Sequence, residues 1–176
     1  YTTLFRSDSV QDIPKESGRA ANYFKSLGIR RGDRVMLVLK RHYQVWFAVM
    51  GLHKLGAIAI PATNQLLEKD FTYRFAAGNV KAILCTADGT VSDAVDAAAA
   101  KSPNLTHKIM VGGKKEGWHD FDAEYTMFRS HFERKEDAPC GSDPMLMFFT
   151  SGTSGYPKLA AHNYKYPLGH FITAKY

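Results

Sequence analysis

The chain has 176 residues, 45% of them apolar and 23% charged, with 14 glycines, a composition that excludes disordered and collagen-like classes and allows a packed core. The length permits one domain or part of a larger one and rules out a full two-domain enzyme. An excess of 23 Lys and Arg over 17 Asp and Glu gives a net charge of +6, which favours polyanionic or phosphate-bearing ligands without choosing among them. Cys85 and Cys140 are the only cysteines, far apart and without histidines at ligand spacing. Neither a disulfide scaffold nor a protein-ligated metal is therefore expected, and reduced thiols suit a cytosolic protein. No uncharged apolar run approaches the roughly 18 residues that cross a bilayer, and the start lacks the apolar stretch of a signal peptide. A cytoplasmic protein without a membrane span is the expectation. The sequence begins without Met and stops inside a helix-like pattern at Tyr176, so a fragment of a longer chain is also expected.

In chain order, Ala20, Phe24 and Leu27 at helical spacing predict a helix over Lys15 to Leu27, with Gly28 as its stop. After the turn Arg30-Arg31-Gly32-Asp33, the apolar run Val35 to Leu39 predicts a strand covered on both faces. Val45, Val49 and Leu52, widened by Trp46 and Met50, predict a second helix over Tyr43 to Leu55, and Ala57 to Ile60 a second buried strand halted by Pro61. The alternation continues with a helix at Glu68 to Ala77, a strand at Ala82 to Thr86, a helix at Ala94 to Lys101 and a strand at Lys108 to Val111. Such alternation predicts an α/β layer fold: a mostly parallel sheet with helices on its faces and right-handed crossovers. Phe121, Tyr125, Phe128 and Phe132 fall at helical spacing and predict an aromatic stripe packed into the core, and Glu133 to Asp137 a solvated connection. The division expected is an N-terminal α/β portion, 1–142, followed by a strand, a loop and the start of a helix, 143–176.

The strand Met145 to Phe149 runs into Thr150-Ser151-Gly152-Thr153-Ser154-Gly155-Tyr156-Pro157-Lys158. Hydroxyl side chains and glycines at this density let the backbone turn tightly and offer N–H and O–H donors to phosphate oxygens, and the lysine adds a compact positive charge. A Walker loop is excluded, because the two glycines are too close and Pro157 precedes Lys158. The chemistry alone favours a phosphate-binding loop over an ordinary surface turn.

This string resembles the T-S-G-[ST]-[ST]-G-x-P-K signature of the adenylate-forming (ANL) superfamily. Ser17-Gly-Arg-Ala-Ala-Asn22, Gly28-Ile-Arg-Arg-Gly-Asp-Arg-Val35 and His53-Lys-Leu-Gly-Ala-Ile-Ala-Ile-Pro-Ala62 resemble landmarks of its N-terminal region. Lys158 to His162 and Tyr166 to Tyr176 are similar to the acetyl- and medium-chain acyl-CoA synthetase branch; Leu159, where many members have Gly, fits the medium-chain enzymes. The resemblance implies an incomplete N-terminal portion of the large domain of a ligase that activates a short- or medium-chain carboxylate as acyl-adenylate and passes it to CoA. Its substrates would be the carboxylate, ATP and CoA, with Mg2+ offsetting phosphate charge. Thr150, Ser151, Gly152, Thr153, Ser154 and Gly155 would wrap the β- and γ-phosphates, and Lys158 would draw charge toward the leaving pyrophosphate. The remainder of the same chain would complete the active site, so the isolated 176 residues are expected to be inactive. The alternatives are an adenylation domain feeding a carrier protein and a non-catalytic nucleotide-binding fragment. A nucleic-acid partner, suggested by Arg30, Arg31, Arg34, Lys40 and Arg41, is not expected, since those residues flank a strand core and no recognition motif follows. His162 and His170 are read as structural in the absence of a carboxylate nearby in sequence.

Overall fold

Strands whose side chains are apolar at every position must be covered on both faces, and this requirement organises the molecule. The computed structural model describes residues 12–151 and 155–175. Helix α1 (Ile13–Ser26) leads into β1 (Arg34–Val38), α2 (Gln44–Leu55), β2 (Ile58–Pro61), α3 (Glu68–Ala77), β3 (Val80–Thr86), α4 (Val91–Ala99) and β4 (His107–Val111). A short β5 (His119–Asp120), a single turn α5 (Phe121–Glu124) and a 3-10 turn (Tyr125–Met127) follow, then β6 (Pro144–Thr150), β7 (Lys158–Asn163) and α6 (Tyr166–Lys175). The seven strands form one sheet in the order β5-β4-β3-β1-β2-β6-β7. All neighbours are parallel except β6 and β7.

Alternate residues of each strand enter opposite cores, as the two-residue period of a strand demands. Val35, Leu37, Ala59, Ala82, Leu84 and Ile109 pack beneath Ala20, Phe24, Phe47 and Leu52 of α1 and α2. Met36, Val38, Ile60, Ile83 and Cys85 pack beneath Phe71 and Phe75 of α3 and Val91 and Val95 of α4. Helices thus cover both faces, with α1 and α2 on one and α3 and α4 on the other. The expected layer architecture holds, and the bounds of α3 are those the periodicity predicts.

The aromatic stripe departs from its prediction. Helical backbone ends early: Phe128 is extended, with φ −91° and ψ 152°. The cause is capture of this segment by α1. Asn22 Nδ2 donates to the carbonyls of Arg129 and His131 at 2.9 and 3.0 Å, consuming acceptors that a continuing helix would have used itself. Phe121 and Tyr125 are buried, their rings stacked at 4.6 Å, and half-buried Phe128 packs on Tyr23. Phe132 stays outside both cores and lies beneath the Lys25 ammonium, 5.9 Å from its ring centroid. Strands β5 and β7 were not foreseen by the periodicity, and α4 starts three residues earlier than predicted.

The basic residues around β1 mostly close turns. The Arg31 guanidinium meets Asp143 at 2.6 Å, Arg34 donates to the carbonyls of Gly32, Gly78 and Asn79, and Lys40 pairs with Asp88 at 3.0 Å.

Two stability predictions follow from this packing. A Cβ at Gly18 would lie 1.7 Å from the Ser130 carbonyl oxygen, so Gly18→Ala must push apart two backbones. It is expected to destabilise the protein by about 2 kcal/mol or more, read as a lower urea midpoint at unchanged slope.

The second concerns His53, whose ring packs edge-on to Tyr164 at 5.8 Å and whose Nε2 is buried without a partner among the described residues. Burial lowers its pKa from 6.5 to about 4, opposed by a hydrogen bond with the Met145 backbone. The unfolded chain therefore binds the extra proton first, and stability falls as pH drops from about 6.5 toward 4, by about 2–3 kcal/mol in all. His107, also lowered by burial and by the neighbouring His119 and Lys81, adds in the same direction. Urea midpoints at pH 7 and 4.5 should differ less in His53→Phe than in the parent protein; an identical difference would refute the assignment.

Candidate functional site

In open α/β sheets, ligands are bound outside the carboxyl ends of the parallel strands, where loops are free to vary over a rigid frame. Because β6 runs parallel to β2, with Ala59 opposite Leu146, its last residue, Thr150, emerges at that edge. Residues 151–157 then connect to β7, which returns antiparallel, so that Thr150 lies directly opposite Lys158. The strand-loop-strand arrangement therefore brings the two ends of the sequence motif together across one hairpin.

Of the predicted site residues, Gly152, Thr153 and Ser154 lie outside the described residues. Thr150 and Ser151 are exposed at the end of β6, and the Thr150 hydroxyl donates to the Lys158 carbonyl at 3.3 Å. That bond ties the hairpin mouth, and the hydroxyl reaches an added phosphate only by releasing it. Gly155 has φ +95°, in the left-handed region that residues other than glycine rarely enter. It lets the chain reverse before Tyr156 and Pro157. Lys158 opens β7 and is exposed at the base of the hairpin. The histidines after the loop pack on rings edge-on or tilted: His162 against Phe148 at 5.6 Å and Tyr166 at 4.1 Å, and Tyr166 against His170 at 4.5 Å.

The sequence reading missed the contribution of α3. Phe71 and Phe75, one turn apart, are buried beneath the sheet, which turns Tyr73 and Arg74 sideways toward the hairpin. The Tyr73 hydroxyl donates to the Pro157 carbonyl at 2.9 Å, and its ring stacks on Tyr156 with centroids 4.9 Å apart. The Arg74 guanidinium lies 5.1 Å from the centroid of the Phe149 ring and 3.7 Å from Asp70. Between α3 and the loop opens a cleft of about 790 Å³, floored by Tyr73, Tyr156 and Pro157. Lys69, Arg74 and Lys101 face it against Glu68 and Asp70, leaving one positive charge in excess. The signal for this support was present in the sequence as a tyrosine between two core phenylalanines, off their face of the helix.

The sheet thus ends in a hydroxyl- and glycine-rich sequence with a lysine at the base of its hairpin, and comparison with known proteins gives the chain's family. The model of the AMP-binding enzyme family matches residues 6–174. The chain belongs to that family. Among curated relatives, it is 37% identical over 165 residues to human acyl-coenzyme A synthetase ACSM1, mitochondrial, which spans 89% of this chain and 27% of the relative. It is 34% identical over 172 residues to rat (Rattus norvegicus) ACSM4, mitochondrial, covering 96% of this chain and 29% of the relative. The chain thus spans well under a third of the length of these relatives. Among solved structures, the anthranilate CoA ligase AuaEII in complex with anthranoyl-AMP superposes with a TM-score of 0.83 at 23% identity, over 92% of this chain and 31% of the ligase. The inhibitor-bound N-terminal domain of FACL13 from Mycobacterium tuberculosis gives a TM-score of 0.75 at 25% identity, over 88% and 37%.

Proposed function

We propose that this chain is the N-terminal part of an ATP-dependent acyl-CoA synthetase that joins a short- or medium-chain carboxylate to CoA through an acyl-adenylate. The observation that carries the reading is the hairpin at the carboxyl edge of the sheet, which sets Thr150 opposite Lys158 at the mouth of a loop rich in hydroxyls and glycine. The acyl-coenzyme A synthetases among its relatives support the choice of acceptor.

In this reading the loop from Thr150 to Gly155 cradles the β- and γ-phosphates through backbone N–H and side-chain O–H donors, and fixes the pyrophosphate as a leaving group. The carboxylate attacks the α-phosphorus, the bond to the bridging oxygen breaks, and negative charge grows on that oxygen. An ammonium held there binds the transition state more tightly than ground-state ATP, and Lys158 supplies it. Magnesium offsets phosphate charge when bound. The CoA thiol then displaces AMP to give the thioester. The cytoplasmic location expected from the sequence belongs to the same proposal, set against relatives whose names place them in mitochondria, and fractionation of the tagged protein decides it.

The full-length protein carrying this sequence should catalyse exchange of pyrophosphate into ATP when given a carboxylate between acetate and octanoate. Exchange with an amino acid and with none of these carboxylates would replace the proposal with an adenylation domain for a carrier protein.

Lys158→Ala should slow adenylation by roughly tenfold to a thousandfold, about 1.4–4 kcal/mol, with a smaller change in ATP affinity. Thioester formation from preformed acyl-adenylate should be nearly spared. Equal losses in both half-reactions would indicate misfolding instead, and no loss in either would make Lys158 an ordinary surface residue.

A further inference from the structure

The carbonyl of Pro157 and the nitrogen of Lys158 belong to one rigid peptide unit, so whatever holds that carbonyl fixes the plane from which the Lys158 side chain departs. The structure holds it from outside the loop. Tyr73, on α3 and 84 positions earlier in the chain, donates its phenolic hydrogen to Pro157 O at 2.9 Å. The next carbonyl, that of Lys158 itself, accepts from the Thr150 hydroxyl at 3.3 Å. Lys158 is thus tied on both sides of its α-carbon, by a helix on one side and by the opposite strand on the other. The Tyr73 ring adds to the hold: it stacks on Tyr156 at 4.9 Å, with planes 28° apart, and lies 6.4 Å from the ring of Phe149 on the strand entering the loop. One side chain therefore touches both stems of the hairpin.

Tyr73 is well placed to do this because its own helix is immobilised. Phe71 and Phe75 are 0% and 1% exposed beneath the sheet, and the Asp70 carboxylate accepts from the Leu67 N–H at 3.0 Å to fasten the first turn. A surface tyrosine serving only to cover apolar area would leave its hydroxyl to water; this one points its hydroxyl at a loop carbonyl.

Resting on the proposed role of Lys158, we infer that Tyr73 is a positioning residue for adenylation: it sets the aim of the Lys158 ammonium by holding the peptide that precedes it. Tyr73 acts through Lys158 alone, so its removal should matter only while Lys158 is present. Tyr73→Phe deletes the hydroxyl and keeps the ring stack, which preserves the fold.

The test is a double-mutant cycle in the full-length protein, following carboxylate-dependent pyrophosphate exchange, with thioester formation from preformed acyl-adenylate measured alongside. Tyr73→Phe should lower the rate of adenylation by about three- to tenfold, the range for one neutral hydrogen bond, with the KM for ATP little changed and the second half-reaction intact. Added to Lys158→Ala, it should cause no further loss. The inference is overturned if Tyr73→Phe leaves adenylation unchanged, if it slows both half-reactions alike, or if it costs as much on the Lys158→Ala background as alone. A silent Lys158→Ala would bring down the proposed role of the lysine and this inference with it. A crippled Lys158→Ala beside a silent Tyr73→Phe would remove the inference alone.

Discussion

The direction of β6 decides what the loop after it can do. Were β6 antiparallel to β2, its end would lie at the opposite edge of the sheet, beneath the crossovers, and the hydroxyls that follow would face the wrong side. Parallel pairing to β2 instead delivers Thr150 to the carboxyl edge. The short Lys158–Asn163 strand then turns back antiparallel on β6 over six residues, from Thr150 opposite Lys158 down to Pro144 opposite Asn163. That ladder fixes the two ends of the connection between β6 and β7 against each other.

The rest of the fold supports this edge from below. Two cores separated by the sheet lock β1, β2 and β3 in register, and Met147 and Phe149 of β6 pack against the same core as Phe71 and Phe75. The helix that covers that core is the one whose flank reaches the hairpin, so burial of two phenylalanines and anchoring of the loop are one arrangement. Charge is arranged to the same end. Arg31, with its pKa raised by the hydrogen bond to Asp143, fastens the turn before β1 to the segment that enters β6. Lys81 joins Asp33 at 2.7 Å across the bottom of β1 and β3. Several of the chain's basic side chains are engaged in such closures, whereas Lys158 stands exposed at the loop.

What could be read from the sequence was what local pattern encodes. The central strands were legible because strands buried on both faces read as unbroken apolar runs, and α3 because it continues their alternation and is closed by Gly78 and Asn79. The phosphate loop was legible as chemistry, through its hydroxyls, glycines and lysine, but its shape was not, since the return strand Lys158–Asn163 is only half-buried and carries no clean alternation. The aromatic stripe misled for a tertiary reason: Asn22 and the bare backbone at Gly18 draw residues 129–131 out of helical conformation, and neither is visible from positions 121 to 132. Tyr73 stood out in the sequence only as a tyrosine off the face of two phenylalanines; its bond to Pro157, in a different part of the chain, left no local mark.

The central claim is that the hairpin between Thr150 and Lys158 is where the nucleotide's phosphates rest. Hydrogen–deuterium exchange in the full-length protein, with and without magnesium and ATP, tests it at the loop itself. The account predicts that amides from Ser151 to Lys158 exchange more slowly with magnesium–ATP and at their free rate with adenosine, which has the base and sugar but no phosphate. Protection by ATP that leaves these amides untouched while other segments slow, or equal protection by adenosine, would contradict it.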